Sequence, residues 1–188
     1  MNPLRRSASS PLQGDHTISP AETVLRCVLD MRVQTLVDFY RHVQTERMQG
    51  IPLLNPALCV EAFGFEWAGG AEEGSEAVAE GVLITPWFMS LLRLPSVNLP
   101  HGNRVGRKAV RDFGSERFDF IGAHDPAIGY HETCALFSPM NGFTSQDLAR
   151  ETALASLALV RPAPVAAEPL PPRRAFFMAR RPDAGAAV

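Results

Sequence analysis

Between Ser19 and Arg161 the chain changes its hydrophobic period twice, and that change limits the fold more than any other feature. Val24, Leu25, Val28, Leu29, Leu36, Val37, Tyr40 and Val43 recur mostly three and four residues apart, the spacing of one helical face, with Arg32, Gln34, Asp38 and Arg41 mostly elsewhere. Ahead of this stripe Ser19-Pro20-Ala21-Glu22 reads as a capping box, and Gly50 and Pro52 should end the helix. The pattern then shortens to strand-like runs at Leu58–Phe65, Gly81–Leu92, Arg117–Ile121 and Gly129–Phe137, divided by Gly, Pro, Asn or Asp. Thr144 or Ser145 opens a second helical pattern through Leu148, Thr152, Ala155 and Leu159, which Arg161-Pro162 should stop. Helix, strands and helix in that order predict an α+β fold with an antiparallel sheet, a long N-terminal helix and a C-terminal helix, rather than alternating βαβ units.

Three segments follow from the same reading. Residues 1–18 are rich in Ser and Pro with few large apolar side chains, and are expected to form a flexible N-terminal arm. Residues 19–161 should make a single α+β domain, and residues 162–188 a Pro/Ala-rich linker with a basic aromatic tail. A length of 188 residues with 46% apolar composition suits one core. With 18 Lys plus Arg against 20 Asp plus Glu, the formal charge of -2 offers no field to gather nucleic acid. The three cysteines Cys27, Cys59 and Cys134 lie far apart, so neither a disulfide framework nor a C-x-x-C site is expected, and a reducing cytoplasm is the natural setting. No run is long and apolar enough to span a membrane, and Arg5 and Arg6 are not followed by the apolar core of an export signal.

Chemistry-bearing motifs are sparse. No glycine-rich phosphate loop with its lysine, no H-E-x-x-H and no G-x-S-x-G segment is present. His131 and Cys134 have H-x-x-C spacing, but an offset of three along a strand sends them to opposite faces, which opposes joint chelation, and no metal or cofactor is expected. Cys59, Glu61 and His131, or Cys134 with His131, could converge as thiol, acid and base; the plainer reading is a packed thiol, an exposed carboxylate and an ordinary histidine. In Leu58–Phe65 the period of two would put Cys59, Glu61, Phe63 and Phe65 on one face. Residues 69–80, with four glutamates, suit a solvated hairpin loop.

The densest segment is Gly81-Val82-Leu83-Ile84-Thr85-Pro86-Trp87-Phe88-Met89. Pro86 removes a backbone donor inside an apolar run, which implies an edge, a bulge or a bend, where Trp87, Phe88 and Met89 cannot all face inward. Either these residues pack in the core around a kinked strand, or Trp87 and Met89 offer an adaptable surface to another protein.

Asn55-Pro56, Val60-Glu61-Ala62-Phe63, the Gly81–Met89 segment, Leu94-Pro95 and Cys134-Ala135-Leu136-Phe137-Ser138-Pro139-Met140 together resemble the HybE/HupJ-type nickel-iron hydrogenase assembly chaperones, over roughly residues 20–180. The resemblance implies a secretion-chaperone-like fold of two layers and a noncatalytic cytoplasmic protein. It would hold hydrogenase precursor subunits during maturation, above all the small subunit with its twin-arginine signal, before export. The large subunit and a separate rubredoxin are further implied partners, since this chain lacks the paired C-x-x-C motifs of a fused rubredoxin. The residues expected to face a client are Glu61, Trp87, Met89, Ser138, Pro139 and Met140. The competing reading is a thiol-dependent or metal-assisted enzyme using Cys59 or Cys134 with His131; a third is a partner that shields an immature metal cluster from oxygen.

Arg173-Arg174-Ala175-Phe176-Phe177 is similar to the core of a twin-arginine signal, although Arg180 and Arg181 interrupt any apolar stretch after it. Arg173, Arg174, Phe176 and Phe177 could therefore form an internal pseudo-signal, held near a client groove by tethering and paired with acidic groups such as Glu61 or Glu72, Glu73, Glu76 and Glu80. A basic amphipathic tail that docks on the domain or touches a membrane surface is the alternative.

Overall fold

The computed structural model describes residues 19–68, 77–97 and 102–161. The expected N-terminal arm, the acidic stretch at residues 69–76 and the whole tail with its pseudo-signal lie outside the described residues. Helix α1 (Pro20–Glu46) starts where the capping box predicts. Ser19 Oγ accepts from the Glu22 N–H at 3.3 Å, and Glu22 Oε2 accepts from the Ser19 N–H at 2.9 Å. Such a cap contributes about 1 kcal/mol. Leu36 and Val37 are the buried residues of α1, whereas Val24, Leu25 and Met31 in its first half are exposed.

Six strands follow: β1 (Glu61–Trp67), β2 (Val78–Ile84), β3 (Met89–Pro95), β4 (Lys108–Phe113), β5 (Glu116–Asp125) and β6 (Gly129–Phe137), and then helix α2 (Gln146–Val160). They form one antiparallel sheet in the order β1-β2-β3-β6-β5-β4, two three-stranded meanders joined along β3 and β6. Alternation along β2 and β3 sends Ala79, Leu83, Leu92 and Leu94 toward α1, and Val82, Ile84, Met89 and Leu91 toward α2. Strands apolar on both sides are what a sheet covered on both sides requires. The α+β class, the antiparallel sheet and the two flanking helices agree with the sequence. The helices lie on opposite sides, so the layers are helix, sheet and helix rather than two.

Several sequence expectations are corrected here. Gly81–Leu92 is not one kinked strand: it spans β2, a turn at Thr85–Phe88 and the start of β3. Thr85 closes that turn, its N–H and Oγ1–H donating to Phe88 O at 2.9 and 2.8 Å while Oγ1 accepts from the Phe88 N–H at 2.9 Å. Pro86 therefore shapes a hairpin, a position that needs no ladder donor. Residues 78–80, expected to belong to the acidic loop, are strand instead: Val78, Ala79 and Glu80 open β2. β4 was not foreseen, and the cap of α2 is Ser145, whose Oγ accepts from the Leu148 N–H at 3.2 Å.

β1 also departs from simple alternation. Its register shifts between Phe63 and Glu66, and Gly64 has φ +62°, a left-handed conformation that glycine adopts without penalty. The bulge turns the strand over, so Phe63 packs on the α2 side while Phe65 packs on the α1 side, not on one face as the period of two predicted. A Cβ at residue 64 would stand 2.3 Å from Leu157 Cδ1, so the same glycine lets α2 come down onto β1.

Candidate functional site

One end of the sheet gathers three loops, and Asn55 ties them. Its Nδ2 donates to Met140 O at 2.9 Å and Phe143 O at 2.7 Å, and its backbone N–H donates to Pro86 O at 2.9 Å. The loop before β1, the β2–β3 turn and the segment after β6 are thereby fixed to one another. Across them Ser138 Oγ donates to Trp87 O at 3.5 Å, and the Ser138–Pro139 peptide is cis. Two of the sequence blocks singled out above thus meet although 51 residues separate them.

Trp87 is half-buried in an aromatic group with Phe88 and Tyr40, with ring centroids 5.6 Å apart for Trp87–Phe88 and 6.4 Å for Tyr40–Trp87. The Tyr40 phenol is pushed up to about 12, by burial first and by the charge of Asp125 second, so it remains a neutral part of that group. Ser138 and Pro139 are exposed. Phe137, 40% exposed, stands edge-on to Phe143 at 5.3 Å, and Ile51 and Leu53 of the loop before β1 are 37% and 49% exposed. Exposed apolar side chains on loops tied to one another suit contact with another protein.

Met89 and Met140 do not belong to that surface. Both are fully buried in the cluster under α2, because Met89 starts β3 on the α2 side and Asn55 clasps the backbone of Met140 inward. Glu61 is at this end but engaged: Gln146 Nε2 donates to it at 2.6 Å and Arg150 Nε at 2.9 Å. Cys59 is exposed nearby, its backbone N–H donating to Gln146 Oε1.

His131 and Cys134 lie on opposite sides of β6, as their spacing predicts. His131 is buried with Nδ1 3.1 Å from Gly129 O, and burial holds its pKa below the ordinary histidine value. Cys134 packs on the α2 side, where burial pushes its thiol up, away from a reactive thiolate. Among the described residues no group of three or more His, Cys, Asp and Glu converges as a metal site.

Sequence reasoning missed a second constellation, beyond the end of α2. Glu80 on β2, Arg93 on β3 and Glu132 on β6 lie side by side, with Arg93 Nη1 3.0 Å from Glu80 Oε1 and Arg93 Nε 3.5 Å from Glu132 Oε2. Arg111 on β4 reaches Glu132 with both Nε and Nη2, the latter at 2.8 Å, and the Tyr130 O–H donates to Glu132 at 3.0 Å. Glu80, Tyr130 and Glu132 are all buried. Burial pushes the Glu80 carboxyl up and is only partly offset by Arg93 and Arg161. Burial also raises Glu132, but the Arg111 hydrogen bonds and charge, the Tyr130 O–H and Arg93 outweigh it and hold that carboxyl below the ordinary range. Glu80 is thus already paired and is no ready acceptor for a tail arginine. The available signal was a charge at an inward position of an apolar strand: Glu80 two residues before Val82, Arg93 between Leu92 and Leu94, Glu132 two before Cys134.

Comparison with known proteins places the chain among relatives. A family model described as "[NiFe]-hydrogenase assembly, chaperone, HybE" matches residues 31–179. The chain is 42% identical over 168 residues to "Protein HoxT" of Cupriavidus necator, covering 82% of this chain and 92% of that protein. It is 33% identical over 127 residues to "Probable rubredoxin HupJ" of Rhodobacter capsulatus, covering 65% of this chain but only 43% of that protein. Its fold is similar to the solution structure of HybE from Escherichia coli, with a TM-score of 0.51 and 18% identity over 80% of this chain and 91% of that one.

Proposed function

Because the chain belongs to the HybE family of [NiFe]-hydrogenase assembly chaperones, we propose that it binds a hydrogenase precursor subunit at the loop-bearing end of its sheet. The client in this reading is the small subunit with its twin-arginine signal, held in the cytoplasm during maturation and before export. The large subunit and a separate rubredoxin are further partners. The chain supplies a surface and makes or breaks no bond in its client. Trp87, Ser138 and Pro139 contribute to the contact, with Phe137, Ile51 and Leu53 beside them; Glu61 works from the rim through its pairing with Arg150.

The observation that carries this reading is the junction of Trp87 O with Ser138 Oγ, because it joins the two most characteristic sequence blocks at one accessible end bearing exposed apolar side chains. An aromatic residue held by its neighbours loses little freedom on binding, which favours affinity. The test is affinity capture of the tagged, full-length chain from hydrogenase-producing cells, read by mass spectrometry, alongside the double variant Trp87→Ala, Phe137→Asp. The expected result is an unprocessed small subunit enriched with the wild-type chain and reduced at least tenfold with a folded variant. Recovery of no hydrogenase subunit, with the precursor present in the input, would overturn the reading. Equal recovery with the variant would move the contact elsewhere on the domain.

A further inference from the structure

The sheet ends in two edge strands, and they are defended differently. β1 carries a register shift between Phe63 and Glu66, and Arg161 Nη1 donates to Gly64 O at 2.8 Å, so its line of backbone groups is interrupted. β4 keeps an unbroken register with β5 from Lys108 to Phe113, and among the described residues no strand pairs with its other side. We propose that this free edge joins two copies of the chain, β4 against β4 in antiparallel register about a two-fold axis at Val110.

The backbone decides which residues are available. Gly122 N–H donates to Arg107 O at 3.0 Å, so Arg107 turns its carbonyl toward β5. Backbone groups alternate sides along a strand, and Lys108, Val110 and Asp112 therefore turn their N–H and C=O outward. Arg93 Nη1 donates to Asp112 O, which agrees with that direction and leaves the carbonyl its second lone pair. An antiparallel pair must match outward residues with outward residues. Centring it on Val110 uses all three, with Val110 opposite Val110 and Lys108 opposite Asp112 on each side of the axis.

The side chains are complementary in the same register. Lys108, Val110 and Asp112 share one face of β4 and all three are exposed, Val110 at 51%. Ile121, opposite Lys108 on β5 and 42% exposed, borders that face. Lys108 is the one lysine among the 188 residues, and a lysine on an edge strand ordinarily keeps copies apart. Asp112 on the same face reverses that effect, because each Lys108 meets the partner's Asp112. The Arg117 pairing that Asp112 makes within its own chain, at 3.4 Å, is exposed and weak, so it does not compete strongly. Opposite charges and β-branched side chains facing each other across strands both stabilise pairing. Six-residue edges bury less than the roughly 800 Å² per partner of a standard interface, so a monomer–dimer equilibrium is expected rather than a permanent pair. Neither β4 nor β5 carries a residue of the Trp87–Ser138 junction, and the proposal does not rest on client binding there.

The test is sedimentation velocity of the full chain over a concentration series, with amine crosslinking and mass spectrometry at the upper end. A Lys108–Lys108 crosslink can only join two copies, and the proposed register sets their Cα atoms about 14 Å apart. Association that rises with concentration, together with that crosslink, is the expected result. Lys108→Asp sets like charges opposite each other on both sides of the axis and should weaken the dimer at least tenfold, and combining it with Asp112→Lys should restore association. Val110→Asp should weaken it comparably and serves if Lys108→Asp does not fold. Monomer at every concentration up to on the order of 1 mM, a dimer without the crosslink, a charge exchange that restores nothing, or a dimer that the folded single variants leave intact would overturn the proposal.

Discussion

The side of the sheet that faces α2 is buried in two different ways. Under the helix, Val82, Ile84, Met89 and Leu91 meet Ala149, Ala153 and Leu157, and apolar contact does the covering. Farther along the same strands, Glu80, Arg93 and Glu132 occupy inward positions and shield one another with the help of Arg111 and Tyr130. Arg161 marks the boundary, its guanidinium over the Phe113 ring while Nη2 donates to Glu80 O. The lesson is that an inward strand position needs a partner more than it needs to be apolar. Apolar burial contributes residue by residue, roughly in proportion to area. A buried charge cluster is favourable only while every member is present.

The largest expected effect comes from breaking that interdependence. Glu132→Ala strands Arg111, Arg93 and the Tyr130 hydroxyl together and should destabilise the fold by about 3–5 kcal/mol in urea unfolding. Leu91→Ala, at a site 1% exposed in the apolar half, should cost about 2–5 kcal/mol. A double-mutant cycle separates the two halves. Glu132→Ala with Arg111→Ala should fall well short of the sum of the single changes, and strict additivity would erase the distinction drawn here.

A pH series sharpens the same contrast. Glu132 is held below its unfolded value, so its stabilisation is full above the unfolded pKa and disappears as pH falls through the folded one. Glu80 is raised, so its contribution is full below the unfolded pKa and is lost as pH rises through the folded one. Acidification from neutral should first relieve Glu80 and then unseat Glu132. Glu80→Gln should remove the first response and Glu132→Gln the second, measured by denaturation between about pH 7 and about pH 3. His131, held low by burial, adds a loss of stability as pH drops below its unfolded value, which His131→Gln should abolish.

The smallest effect marks the outer limit of the comparison. Arg117 and Asp112 form a 3.4 Å ion pair with both side chains mostly exposed. Arg117→Ala should change stability by less than about 0.5 kcal/mol, because water screens such a pair. A larger loss would mean that exposure does not separate the working ion pairs from the idle ones.

How much of this could be read in the sequence depended on distance along the chain. The α1 cap is a four-residue device, so Ser19-Pro20-Ala21-Glu22 located it to the residue, and β6 had the bounds Gly129–Phe137 foreseen for it. The β2–β3 turn was misread because Pro86 marks a bend equally well in a kinked strand or a hairpin, and Thr85 decides the matter through bonds to Phe88. The Gly64 bulge broke the expected period in β1, and a lone glycine among alternating apolar residues does not announce which way the strand turns. Trp87 and Ser138-Pro139 could be named from their blocks, but their junction is tertiary. Met89 and Met140 were misassigned for the same reason, since pattern alone does not report that Asn55 and α2 close over them. The Arg93 cluster draws on β2, β3, β4 and β6, and no local signal joins those strands.

The strand order carries a consequence for the chain as it is made. Both meanders form from neighbours in sequence, but β3 waits for β6, and some thirty residues must be synthesised between them. Until then Met89–Pro95 is an unpaired edge, apolar on both sides and broken only by Ser90 and Arg93. Such an edge invites pairing with a neighbouring nascent chain. Arg93 is the one charge on that edge, so the residue that later anchors the buried cluster also serves, during translation, as its gatekeeper against aggregation.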